Sequence, residues 1–328
     1  MVTIYRDDDA DLSVLEGQTI AVIGYGNQGR AQALNLCDSG CDVVVGCPPD
    51  AYRERAQADG LETVDVPEAA RRGDVVLVLI PDEVQPHVYR ESLAPGLAEG
   101  NALGFASGYN IHFGLVKPPP FVDVIMVAPR MIGAAVRERF ERGEGFPCLV
   151  AVGQDATGRA LERALALSRG IGGTKEGAFA SSFEEEVLVD LFAEQWLWAG
   201  IGKLCRLFFE TLVEAGCTPE TVATEMYLSG EMVEVAQAML TEGFFGQLDL
   251  HSQTSQYGQL SRAGTVLGDD PEGRARQMLE VLRSGQFARE WAEEQQTGKP
   301  FLARLKQEAL AHPLNEIERK LSRGHRHG

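Results

Sequence analysis

No apolar run in this 328-residue chain approaches the roughly 18 to 20 residues that a membrane-spanning helix requires, so a helical membrane protein is not expected. Positive charge is scarce as well: 30 Lys and Arg stand against 48 Asp and Glu, a formal charge of −18. Nucleic-acid binding depends on Lys and Arg neutralising phosphates, and that partner class is excluded. Cysteine is sparse, and Cys37, Cys41, Cys47, Cys148, Cys205 and Cys217 lack the paired spacing of a metal knuckle. They read as reduced thiols. The basic-then-apolar start of a secretory signal is missing from Met1 to Asp11, which carries Asp7, Asp8 and Asp9 instead. A cytoplasmic protein is expected.

What is present is a strong alternation of element types. Thr19 to Gly24, Asp42 to Gly46, Asp74 to Ile80, Ala102 to Ala106, Val122 to Ala128 and Cys148 to Val152 are short apolar runs rich in β-branched residues. Gln28 to Ser39, Tyr52 to Asp59 and Gln85 to Ala94 carry apolar stripes at helical spacing. The pattern predicts an α/β Rossmann domain with a doubly wound parallel sheet. From about Ser182 the β-type runs vanish, and Phe183 to Ala215, Pro219 to Glu242, Gly273 to Gly298 and Pro300 to Leu321 read as helices. A Rossmann domain over 1–181 and an all-α domain over 182–328 are expected, with the glycine-rich stretch Gly170 to Gly177 near their boundary.

The string Gly24-Tyr25-Gly26-Asn27-Gln28-Gly29 follows an apolar strand and opens a helix, the context in which a glycine fingerprint signals a dinucleotide. Gly24 permits the tight turn, Gly26 lets the backbone approach a pyrophosphate, and Gly29 lets helix and strand pack closely. The loop after the next strand meets the ribose 2′ position and reads Cys47-Pro48-Pro49-Asp50-Ala51-Tyr52-Arg53. Asp50 repels a 2′-phosphate and accepts bonds from ribose hydroxyls, whereas Arg53 is the nearby cation that suits a phosphate. Either NADH or NADPH fits the fold, and Asp50 favours NADH.

Further strings carry a family resemblance: Pro81-Asp82-Glu83-Val84-Gln85-Pro86, Asn110-Ile111-His112-Phe113-Gly114, Asp190-Leu191-Phe192-Ala193-Glu194-Gln195 and Glu210-Thr211-Leu212-Val213-Glu214-Ala215-Gly216. With the glycine fingerprint, in this order and spacing, the chain resembles the short, class I form of ketol-acid reductoisomerase. That resemblance implies a knotted helical second domain and active sites shared within a homodimer or larger oligomer. It also implies a small-molecule substrate, magnesium, and cofactor contacts at Tyr25, Gln28, Cys47, Pro81, Asp82, Gln85 and Gly108. Alkyl migration in that family needs an ionised hydroxyl beside a polarised ketone, which a divalent cation supplies. Asp190 and Glu194 match the first pair of carboxylate ligands, four residues apart on one helix face. Glu225 matches the first residue of the second pair, and Ser252 matches a serine that contacts the substrate carboxylate.

The chain also departs from the family pattern. Ser229 stands where the second glutamate of the later pair belongs, and Glu231 lies on a different face. Gln253 and Gln256 replace two acidic residues near Ser252. Ser107 replaces a histidine and Arg130 a lysine, and the Gly-Pro that follows the lysine is lost. Serine does not titrate near neutrality as histidine does, and arginine keeps the charge without serving as a proton donor. Asp190, Glu194, Glu225, Arg130, Ser107 and Ser252 are the expected catalytic set, the three carboxylates being the expected metal ligands. The expected function is an NAD(P)H-dependent reductase of a small polar ketone or imine that has lost alkyl migration. Two alternatives stand beside it: an ordinary magnesium-dependent reductoisomerase acting on 2-acetolactate, and a non-catalytic nucleotide-binding protein. His112 and His251 read as packing or surface groups, and Trp196 and Trp198 as core or interface residues.

Overall fold

The computed structural model describes residues 2–325. By its internal contacts the chain divides into two compact units, Met1–Asp190 and Leu191–Gly328.

The first unit is built on a nine-stranded sheet. In chain order its strands are β1 (Ile4–Tyr5), β2 (Thr19–Ile23), β3 (Asp42–Gly46), β4 (Glu62–Val64), β5 (Val75–Val78), β6 (Ala102–Phe105), β7 (Asp123–Pro129), β8 (Cys148–Gln154) and β9 (Ala178–Ala180), arranged β1-β9-β8-β7-β6-β5-β2-β3-β4. All six expected strands form. β1, β4 and β9 were not expected, because two or three residues are too few to display a period. Strands β2 to β7 pair in parallel. Their near-continuous apolar runs follow from burial on both faces: Ile20 and Val22 enter one hydrophobic cluster and Ala21 and Ile23 the other. β8 runs antiparallel to β7 and β1 antiparallel to β9, so the sheet is parallel in its centre and mixed toward one edge. Strand order reverses at β2, which lies between β3 and β5. Ligands of open α/β sheets bind outside the carboxyl ends of the strands at such a point.

The glycines of Gly170 to Gly177 lie within the first unit. Gly172, at φ 96°, ends the helix Ala160–Ile171, and Gly177, at φ 120°, leads into β9.

The second unit is helical among its described residues. Proline occupies the first turn of Pro219–Ala223, Pro271–Arg283 and Pro300–Leu310, where its missing N–H costs nothing. The helix expected over Pro219 to Glu242 is broken at Gly230, at φ 87°, before Glu231–Glu242 begins. Gln253–Val266 is an unexpected helix, polar enough around its circumference to show no apolar stripe. One buried cluster of this unit holds Phe209, Val222, Ala223 and Ile317, and Leu282 and Ala288 are buried as well, while Trp198, Val233, Leu240, Phe244, Phe245, Leu250 and Tyr257 are exposed. No described helix is long and apolar enough to cross a membrane.

Candidate active site

At the carboxyl end of β2 the chain turns through Gly24, at φ 94°, into the helix Asn27–Asp38. A Cβ on Gly24 would stand 2.6 Å from Ile80 Cγ2, and one on Gly29 2.2 Å from the Gly24 carbonyl oxygen. Both positions are therefore closed to side chains. A Cβ on Gly26 would meet nothing within 4 Å, so its backbone faces open space at the helix N-terminus. An exposed backbone beside free helix-terminal amides fits a pyrophosphate. Tyr25 turns inward: its ring is buried and its hydroxyl donates to Asp59 Oδ2 at 2.8 Å, which leaves only its backbone for a ligand to meet. Arg30 grips the same carboxylate at 2.7 and 2.9 Å. Gln28 Nε2 donates to the Met131 carbonyl at 2.9 Å, tying this loop to the end of β7.

The loop after β3 has a fixed arrangement. Asp50 is the N-cap of the helix Ala51–Ala58 and accepts from the amides of Tyr52 and Arg53, as a short acidic side chain does at this position. Arg53 is held by Asp65 and by the carbonyl of buried Cys47. After β5, Gln85 Nε2 donates to the Ile80 carbonyl at 2.9 Å, and Asn110 Nδ2 reaches Gln85 Oε1 at 2.9 Å and the Asp82 carbonyl at 3.0 Å. Pro81 initiates this turn by accepting from the amides of Val84 and Gln85.

Arg130 leaves the end of β7 and clamps two carboxylates one turn apart on the helix Phe183–Phe192. Its guanidinium reaches Glu186 Oε1 at 2.9 Å and Asp190 Oδ1 at 3.2 Å. Glu186 is 1% exposed and accepts through Oε2 from the Gly108 amide at 2.7 Å. Burial raises its carboxyl above the ordinary range, against the opposing pull of that amide and of Arg130. Gly108 is required here, since a Cβ would lie 2.4 Å from the Phe183 carbonyl oxygen. Beside it Ser107 Oγ accepts from the Tyr109 amide at 3.3 Å. The structure thus brings together Arg130, Asp190, Ser107 and Gly108, and adds Glu186. Glu186 is hidden in the sequence inside the run Glu184 to Glu186, an ordinary acidic first turn. Its distance of four residues from Asp190 was the available signal.

Glu194 and Glu225 each lie in a wide π turn, Ala193–Trp198 and Thr224–Leu228, an arrangement frequent at functional sites. Glu225 is exposed and lines a cavity of about 730 Å³ with Leu204, Phe208, Leu212 and Met226. Ser229 Oγ accepts from the Glu231 amide, and Ser252 caps Gln253–Val266 by accepting from Ser255. Among the described residues no three His, Cys, Asp or Glu side chains assemble to hold a metal ion within one chain. Asp190 and Glu194 are hard oxygen donors of the kind magnesium takes.

Residues 14–177 match the family of acetohydroxy acid isomeroreductase NADPH-binding domains, and residues 183–326 match that of ketol-acid reductoisomerase C-terminal domains. The chain is 46% identical over 323 residues to the ketol-acid reductoisomerase (NADP(+)) of Methanopyrus kandleri, covering 98% of each. It is also 46% identical to that of Pyrobaculum calidifontis, covering 97% of each. Its structure superposes on an NADH-preferring ketol-acid reductoisomerase from an uncultured archean with a TM-score of 0.93, at 38% identity and 98% coverage of both chains. With a nucleotide loop at the carboxyl end of β2 and a charged clamp at that of β7, the chain is an NAD(P)H-dependent oxidoreductase that belongs to the ketol-acid reductoisomerase family.

Proposed function

We propose that this reductase transfers hydride from NADH to a small polar ketone or imine without migrating an alkyl group. The observation that carries the reading is the Arg130 clamp on Glu186 and Asp190. Hydride arriving at a carbonyl carbon leaves negative charge on the oxygen, and a fixed guanidinium beside that oxygen stabilises it without reorganising. Arg130 cannot shuttle a proton, nor can Ser107 titrate near neutrality, so the ionised hydroxyl that migration requires lacks its proton acceptor. The proton that completes the reduction comes from water. Ser252 orients the substrate. Asp190, Glu194 and Glu225 of a second copy are the residues that would hold a divalent cation, which supplies polarisation of the carbonyl when bound. Ser229 removes one carboxylate from that set and weakens it.

Three observations support the finer points. Arg53 is engaged with Asp65 and the Cys47 carbonyl and is not aimed at a 2′-phosphate, and Asp50 borders the same loop, which favours NADH. Among the described residues the helical unit buries few apolar side chains, Phe209, Val222, Ala223, Leu282 and Ile317 among them, while exposing a broad apolar surface, as a unit does that completes its core against another copy. We therefore propose a homodimer or larger oligomer. Light scattering is expected to give at least twice the chain mass, and a monomer at micromolar concentration would contradict this. The six free cysteines suit a cytoplasmic location.

An ordinary reductoisomerase is the second reading, favoured by the 46% identity to relatives bearing that name. Oxidation of NADH and NADPH across a panel of 2-keto acids and imines tests the reductase. At least one substrate is expected to be reduced, with higher kcat/KM for NADH. Tight NADH binding without oxidation across the panel would point instead to a non-catalytic nucleotide-binding protein.

A further inference from the structure

Between the phosphate loop and Arg130 lies a three-residue bridge, Met131-Ile132-Gly133, that is pinned along its length. The Arg130 amide donates to the Pro147 carbonyl at 2.9 Å, and Gln28 Nε2 donates to the Met131 carbonyl at 2.9 Å. The Ile132 carbonyl accepts from the Val136 amide at 3.1 Å as the helix Gly133–Glu141 begins. Gly133 touches the phosphate loop so closely that a Cβ would fall 1.9 Å from the Asn27 carbonyl oxygen. Met131 packs against the core. Ile132 does the opposite and is 75% exposed. A branched apolar side chain held outward by a rigid backbone favours an apolar ligand face that covers it.

The position of the bridge identifies that cover. Gly133 abuts the Asn27 carbonyl of the pyrophosphate cradle and Arg130 lies two residues before Ile132 in the chain, so the Ile132 backbone stands between the cradle and the residue whose guanidinium meets the reacting carbonyl. A dinucleotide lying across the switch point must pass its nicotinamide over this stretch to bring the ring to Arg130. We infer that Ile132 forms the apolar wall on which the nicotinamide ring packs, setting the ring's tilt toward the substrate. This rests on the cofactor reading above. It assigns to one side chain the recognition of the ring, as distinct from the phosphates.

The test compares NADH with ADP-ribose, which keeps both phosphates and the second ribose but lacks the ring. Ile132 is exposed, so its replacement leaves the core untouched. In Ile132→Ala, titrated by calorimetry, NADH affinity is expected to fall about tenfold and ADP-ribose affinity to change less than about twofold. The fluorescence of bound NADH should weaken in parallel, and Ile132→Leu should behave as the parent. Equal weakening of both ligands, or unchanged NADH affinity, overturns the inference while leaving the cofactor reading intact. A parent protein that binds neither ligand defeats the cofactor reading itself, and the inference with it.

Discussion

Arg130→Ala lowers kcat for any accepted ketone by about two to three orders of magnitude, the usual cost of deleting a preorganised group at a developing oxyanion. NADH affinity stays unchanged, because the nucleotide loop is fixed by Gln28, Gly24 and Gly29 independently of the guanidinium. The loss has two origins. The reacting oxygen loses its charged partner, and Glu186 is left buried with the Gly108 amide as its remaining partner. A buried carboxyl stripped of its cation moves further toward its protonated form. Arg130→Lys, the residue that the family resemblance leads one to expect here, recovers part of the rate because the charge returns without the two-pronged clamp. Stopped-flow single turnover separates the chemical step from NADH binding. A variant within threefold of parental kcat would remove Arg130 from the mechanism.

Asp123→Asn destabilises the first unit by about 3–5 kcal/mol, the range for breaking a buried ion pair by removing one partner. Asp123 is fully buried at the start of β7. Its carboxylate accepts from the Ala156 amide at 2.8 Å, the Thr157 amide at 3.0 Å and the Thr157 hydroxyl at 2.7 Å, and it pairs with Arg163 at 2.9 Å. An asparagine of the same shape keeps one acceptor oxygen, turns an N–H₂ toward a donor, and leaves the largely buried Arg163 without its counter-charge. Glu68→Gln, which breaks the exposed pair with Arg71, is the control and costs less than about 1 kcal/mol. Urea unfolding measures both. Equal, small effects would show that the Asp123 network contributes no stability.

The first unit was legible in the sequence because its long strands are apolar on both faces and its glycine loop has one geometric solution. β8 was seen as a strand, yet its antiparallel sense was not, since a period of two is blind to direction. The short strands β1, β4 and β9 take their pairing from neighbours and carry no pattern of their own. In the site, Arg130, Asp190 and Ser107 were found through the family pattern, but Glu186 required knowing which acidic residue of the first helical turn faces inward. Gly108 illustrates the same limit: its need for close approach depends on the Phe183 carbonyl, seventy-five residues later. The break at Gly230 was missed because a single glycine does not cancel the apolar stripe on either side of it.

Turnover of 2-acetolactate against 3-hydroxy-3-methyl-2-ketobutyrate, the already migrated ketone, tests the central claim most directly. Both are offered with NADH, with and without magnesium. The account predicts that the second, or another ketone or imine of its size, is reduced while 2-acetolactate is not. Magnesium-dependent conversion of 2-acetolactate at a rate equal to that of the migrated ketone would contradict it and restore an ordinary reductoisomerase.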